Sequence, residues 1–452
     1  MKSWLNVSLL ICHVSCFMCF AVRAGEAAPQ PNVILIVADG LGFGDLSLHG
    51  NPILKTPALD QLAKEGTEFT RFYVSPFSAP SRASVLTGRD SLRTGVSGDS
   101  GGRETLPAEE ITAAEIFKRA GYHTAMYGKW HLGSHFPTVP HGQGFDDYIG
   151  FRPAHWSTYF NTTLEFNGKG MPTRGYMTDA LSEMAQNYIA TKKTKPFFLY
   201  LAYPVPHSPY QVPDKWHDAV KALNLAEPLT TLYAMIANLD DNIGKIMNGL
   251  ERAGLADSTI VIFLSATGPD RERFNAGLRG RAGSINEGGV RVPCFIRWPK
   301  NVPAGKVVDS IAAHVDLLPT LLDLCRIDVT VARMDGFSLR PLLKGEAGNA
   351  ERIVFTNSSD RPFPGAARTQ RYSLINGMEL YDLKTDPGED KNTAADHPAE
   401  FARLKDAYTE WFAFFPSGAI SPRVTRPLRP YRPLCSKKSV GLLSAMAARS
   451  RL

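Results

Sequence analysis

Asn32-Val33-Ile34-Leu35-Ile36-Val37-Ala38 is apolar without a break after its first residue and is rich in β-branched side chains. A run with no polar alternation has no face to offer water, so it predicts a strand buried on both sides, the habit of a central parallel strand. Two more runs of this kind follow, Lys195-Pro196-Phe197-Phe198-Leu199-Tyr200-Leu201-Ala202-Tyr203 and Ser258-Thr259-Ile260-Val261-Ile262-Phe263-Leu264. Helical patterns separate them. Thr56 to Gly66 opens on Thr-Pro and stops on Gly, Ala113 to Gly121 reads as another capped helix, and Leu232 to Gly254 reads as one long amphipathic helix. Strands alternating with helices predict an open, largely parallel α/β sheet.

Chemistry-bearing residues collect where these strands end, which is where such sheets place their sites. The first strand ends in Asp39-Gly40-Leu41-Gly42-Phe43-Gly44-Asp45. Thr67 to Val74 alternates as a strand and delivers Phe77-Ser78-Ala79-Pro80-Ser81-Arg82-Ala83-Ser84-Val85-Leu86-Thr87-Gly88-Arg89. Pro80 suits a first helical turn, Ser78 then stands just before it where free N–H groups favour an anion, and Gly88 closes the helix. Arg82, in that first turn, offers a planar fork of donors to a sulfate or phosphate. The strand Tyr122 to Tyr127 runs into Gly128-Lys129-Trp130-His131-Leu132-Gly133, and an extended backbone sets Lys129 and His131 on one face. The second core strand ends in Pro206-His207-Ser208-Pro209, and the third in Ser265-Ala266-Thr267-Gly268. The paired Asp240-Asp241 of the long helix is read as a solvated face rather than a second metal site.

These motifs resemble those of the type I, formylglycine-dependent sulfatases. The family's Cys-x-Pro-Ser-Arg signature carries the cysteine that maturation oxidises to formylglycine; here that position is Ser78. The resemblance implies an alkaline-phosphatase-like α/β fold, with a large, mostly parallel sheet flanked by helices and a small C-terminal antiparallel α+β subdomain. It implies that Lys129 and His207 contact the sulfate and that His131 holds a hydroxyl of the hydrated aldehyde. It also implies a calcium shell of two consecutive Asp plus the Asp and Asn of Ser-Asp-Asn-Gly. Of these, Asp39 is retained, while Gly40, Ala266 and Thr267 stand at the other three positions. In Leu278-Arg279-Gly280-Arg281-Ala282-Gly283, ahead of Glu287-Gly288-Gly289-Val290-Arg291-Val292-Pro293, the lysine that assists the departing alcohol is replaced by Ala282. Arg281, one residue earlier on an extended chain, points the other way.

The resemblance divides the chain into a sulfatase-like domain over 31–345 and a small unit over 351–415, the latter with strands at 352–356, 371–376 and 379–383 and a helix at 398–415. Residues 1–24 read as a secretory signal, with Lys2 before an apolar stretch and Val22-Arg23-Ala24 for cleavage. That predicts export, to the periplasm, the cell surface or the medium, and no stable membrane span after the signal leaves. Residues 417–452 hold eight Lys or Arg and no acid, so the formal charge of +6 belongs to this Pro-, Arg- and Ser-rich tail, expected to be disordered. The remainder is slightly acidic, which argues against nucleic-acid binding. Cys12, Cys16 and Cys19 lie in the signal, and the odd, sparse remainder (Cys294, Cys325, Cys435) argues against a disulfide framework.

One carboxylate makes a weak calcium site. Nucleophile type, metal shell and assisting lysine are all altered while the frame around them stays intact. The expectation is a sulfatase scaffold that is catalytically impaired or inactive, with no cofactor, whose pocket of Arg82, Lys129, His131 and His207 is net positive and binds a sulfated or other anionic small molecule or glycan. The alternative is an active exported sulfatase with Ser78 converted to formylglycine and a Ca2+ ion bound.

Overall fold

The computed structural model describes residues 30–191, 195–329, 334–348 and 351–415. The expected signal segment and basic tail lie outside the described residues. Strand Asn32–Asp39 is buried along its whole length, as its unbroken apolar run requires. It pairs in parallel with Phe197–Pro206 on one side and Thr259–Ser265 on the other. His123–Lys129 and Asp147–Phe151 extend the parallel array. These five strands form the middle of a ten-stranded sheet. Beta-branched and aromatic side chains pack on both of its faces, under helices Met177–Thr191 and Leu229–Arg252 on one side and Ser78–Thr87, Ala113–Arg119 and Leu317–Cys325 on the other.

Outside this middle the sheet is mixed, with antiparallel neighbours and one further parallel pair, Lys306–Val308 with Thr67–Phe69. One flank carries Cys294–Arg297 antiparallel to Thr259–Ser265, then Thr67–Phe69 and Lys306–Val308. The other carries the hairpin Thr163–Phe166 and Lys169–Pro172. Asn167 and Gly168 form its two-residue turn with φ of 46° and 88°, the pairing that a twisted hairpin demands.

Residues 67–74 do not form one alternating strand. Thr67–Phe69 joins the main sheet, while Phe72–Tyr73 joins a separate three-stranded sheet with Arg291–Val292 and Ala312–Ala313. Both pieces are buried throughout, so the apparent alternation marks no solvent face. The solvated-face reading of the paired Asp240-Asp241 is also corrected. Asp240 is buried and accepts hydrogen bonds from the backbone N–H groups of Ala58 (3.1 Å) and Leu59 (2.8 Å), capping helix Pro57–Glu65. Only Asp241 faces out, paired with Lys245 at 2.7 Å.

The C-terminal unit is a four-stranded antiparallel sheet, Val354–Asn357, Gly365–Arg368, Tyr372–Ile375 and Glu379–Asp382, covered by helix Pro398–Ala413. Leu374, Leu380, Leu404, Tyr408 and Phe412 form its core. Gly365–Arg368 is a strand that Gly-Ala-Ala-Arg does not advertise. Its Arg368 ties it to the main domain, with Nε donating to Glu287 at 2.7 Å and both side chains fully buried.

Candidate active site

The carboxyl ends of the parallel strands bring the expected residues together. Asp39 closes the first strand and Lys129 closes the fourth in chain order. Ser78 begins helix Ser78–Thr87 as its first residue rather than preceding it, with Phe77 as the N-cap. Arg82 therefore stands one turn beyond Ser78 on the same helix face. Its Nε donates to Ser78 Oγ at 3.0 Å, and its Nη1 donates to the Lys129 carbonyl and to the Tyr200 hydroxyl, each at 3.1 Å.

The Asp39 carboxylate is the hub. Ser78 Oγ donates to its Oδ1 at 2.9 Å and Lys129 Nζ donates to its Oδ2 at 2.5 Å. Arg82 Nη2 lies 3.6 Å from Oδ1. Asp39, Arg82 and Lys129 are 1%, 1% and 2% exposed, so these charges meet with little water between them. Burial alone would raise the Asp39 carboxyl, but Lys129 and then Arg82 override it and hold the group far below the ordinary carboxylate range. Burial pulls the Lys129 ammonium below its usual value, and the Asp39 charge opposes that loss.

His131 reaches the site by a different route from the one expected. The backbone is not extended there; His131 has φ of 61°, so the chain turns after Lys129. Its Nε2 donates to the Asp99 carbonyl at 2.9 Å, which leaves Nδ1 as the unprotonated nitrogen, buried and without a partner. Burial, followed by the Lys129 charge, holds this imidazole well below its usual value, so it is neutral. His207 Nδ1 donates to the Ser208 carbonyl at 2.9 Å, and its ring lies 5.0 Å from that of His155.

Three site residues carried no motif. Asp99 arrives on the glycine-flanked loop Gly98-Asp99-Ser100-Gly101-Gly102 and caps the Ser78 helix, with Oδ1 accepting from Ala79 N–H at 2.8 Å. His155 follows strand Asp147–Phe151, and burial, then the charges of Lys129 and His207, hold it below its usual value. Tyr200 lies inside an apolar strand, where a hydroxyl is invisible to a reading of periodicity. The only available signal for Asp99 was its place between glycines.

The residues at the expected calcium positions do not fit that ion. Calcium takes six to eight oxygen ligands, mostly carboxylate. Both Asp39 oxygens are engaged by protein donors. Gly40 (φ 80°) has no side chain, and its carbonyl accepts from Arg273 Nη2 at 2.7 Å. The guanidinium of Arg273 is itself held by Asp45 at 2.6 Å. Asp270 packs against Gly40, but its oxygens accept from Tyr210 (2.9 Å) and Arg273 (3.3 Å). Ala266 is buried with only its backbone polar, and Thr267 is a buried neutral residue. Among the described residues no cluster of three His, Cys, Asp or Glu is placed to hold a metal.

The leaving-group position is likewise empty of an acid. Ala282 donates its backbone N–H to the Pro269 carbonyl at 2.9 Å, and Gly283 donates to Pro76 at 2.8 Å, which sets this loop beside the start of the Ser78 helix. Arg281 is exposed.

A parallel-centred sheet with its polar residues at the strand ends, beside a small antiparallel unit, is the alkaline-phosphatase-like architecture. A crystal structure of Ps i-CgsB in complex with k-i-k-neocarrahexaose superposes with a TM-score of 0.79 at 30% identity, covering 85% of this chain and 93% of that one. The sulfatase family model matches residues 31–327, and that of the N-sulphoglucosamine sulphohydrolase C-terminal region matches residues 284–408. Human arylsulfatase A is 33% identical over 82% of this chain and 85% of its own length. Mouse N-acetylgalactosamine-6-sulfatase is 29% identical over 82% and 78%. The chain belongs to the sulfatase family.

Proposed function

We propose that this sulfatase-family protein is catalytically impaired and binds a sulfated ligand, in the class of sulfated saccharides, without efficient hydrolysis. The observation that carries the reading is the state of Asp39. The one retained metal-ligand carboxylate is engaged by the Lys129 ammonium and the Ser78 hydroxyl. Loss of the two further carboxylates at Gly40 and Ala266 removes two negative charges, which offsets the two positive charges of an absent divalent ion. Lys129 and Arg82 face Asp39 and Asp99, so the formal charges of the pocket nearly balance, a correction to the net positive pocket expected from the lost acids. The neighbour in complex with k-i-k-neocarrahexaose and the N-acetylgalactosamine-6-sulfatase relatives support a saccharide.

Ser78 itself argues against direct nucleophilic catalysis. Its proton acceptor, Asp39, is held far below the carboxylate range, and so weak a base does little to activate a hydroxyl. The competing reading, an active sulfatase with formylglycine at Ser78, draws on the intact seat of Arg82 and Lys129 around that residue. Steady-state assay with a chromogenic aryl sulfate, combined with mass analysis of the Ser78 peptide, separates the two. The expected result is an unmodified serine and turnover far below the roughly 1–1000 per second of ordinary enzymes. A formylglycine mass with turnover in that range establishes the competing reading. The leader-like residues 1–24 support export as the setting, which fractionation of expressing cells tests.

A further inference from the structure

Helix Ser78–Thr87 presents its free N–H groups to the site, and such a terminus favours an anion. In this protein that place is already taken. Asp99 Oδ1 accepts from Ala79 N–H at 2.8 Å and Oδ2 lies 3.4 Å from Ser78 N. The Asp99 carbonyl is pinned by His131 Nε2, and the loop behind it is closed by Ser97 N–H donating to the Arg103 carbonyl at 3.0 Å. Between those two anchors Ser100, Gly101 and Gly102 are exposed, and both glycines have positive φ with open space around them. The carboxylate side chain is 33% exposed, unlike the sealed Asp39. Beside it Arg82, 1% exposed, keeps Nη2 without any hydrogen-bond acceptor, and His131 Nδ1 is also unpartnered.

We propose that Asp99 is a specificity-determining residue, a built-in carboxylate seated where an incoming anionic group would bind, so that a ligand enters by displacing it. The proposal rests on the anion-binding reading given above. Displacement is favoured for a sulfate ester. Its three terminal oxygens can accept from Ala79 N–H and from Arg82 Nη2 together, whereas the two oxygens of Asp99 serve only the helix start. A ligand carboxylate offers no such gain over Asp99. The seat also holds Asp99 weakly. Burial pushes its carboxyl above the ordinary range, Asp39 adds to that, and the Ala79 amide and Lys129 work against it. The other titratable neighbours, His131 and His155, are held below their usual values and supply little compensating charge.

The test is calorimetric titration of inorganic sulfate into the full-length protein and its Asp99→Asn and Asp99→Ala variants. Asp99→Asn keeps an acceptor oxygen for the Ala79 amide and protects the fold while removing the competing charge. Removing a like charge at contact distance predicts sulfate binding roughly tenfold tighter than wild type in Asp99→Asn. Binding that is unchanged or weaker in both variants overturns the role of Asp99 while leaving wild-type anion binding in place. Absence of sulfate binding in the wild type and in both folded variants overturns this proposal and the binding reading together.

Discussion

Asp39 and Lys129 are an ion pair from which water is excluded, so the two side chains depend on each other. Truncating one partner of such a pair strands the other charge in a low-dielectric site. Lys129→Ala is expected to lower the unfolding free energy by about 3–5 kcal/mol, whereas a double replacement, Asp39→Asn with Lys129→Met, recovers part of that loss, the rest remaining because the buried Arg82 then lacks its carboxylate. Denaturant melts of the two variants beside wild type check this, and equal losses in the single and double variants would contradict it. At this scale the motifs were informative because Asp39, Ser78, Arg82, Lys129 and His207 sit in segments whose residue order is itself distinctive. Their mutual contacts were not legible. The turn at His131 and the seat of Asp99 depend on a loop that packs against the site from 20 residues away in sequence, and no local pattern encodes that approach.

Single elements were legible where burial was uniform. The three long apolar runs became central strands, and Leu229–Arg252 became one helix because its apolar face repeats with helical period. Short elements were not. Thr67–Phe69 and Phe72–Tyr73 separate because tertiary pairing, not alternation, assigns them to different sheets. Gly365–Arg368 is held by the buried Arg368 ion pair rather than by β-propensity. Asp240 gives this scale its own test. Burial pushes its carboxyl from 3.8 up to about 6, with the Leu59 and Ala58 amides resisting and Asp60 and Asp241 adding to the rise. The folded state therefore holds this proton more tightly than the unfolded chain does, and the stability it contributes is lost as pH rises from about 4 to 6. Asp240→Asn, which keeps an acceptor for the helix start, is expected to gain stability relative to wild type across that window and to hold a constant difference above it. A difference that does not vary with pH would show that Asp240 is already ionised at pH 4.

The whole molecule joins a family scaffold to an altered centre. The frame is held by features remote from catalysis, among them the buried Arg368–Glu287 pair that locks the C-terminal sheet to the main domain and the Arg352–Asp316 pair at 2.7 Å. Gly40, Ala266 and Ala282 take no part in these pairs, so on the proposed reading the fold does not depend on a metal shell. The charge balance explains why the centre stays folded: the cations of Lys129 and Arg82 satisfy Asp39 from within the protein. Calcium binding is therefore the decisive property of the centre. Isothermal titration of calcium into the purified, metal-stripped full-length protein should give no heat of specific binding at millimolar ion. A stoichiometric site of micromolar affinity would contradict the account, because it would require oxygen ligands that Asp39 and its neighbours do not supply.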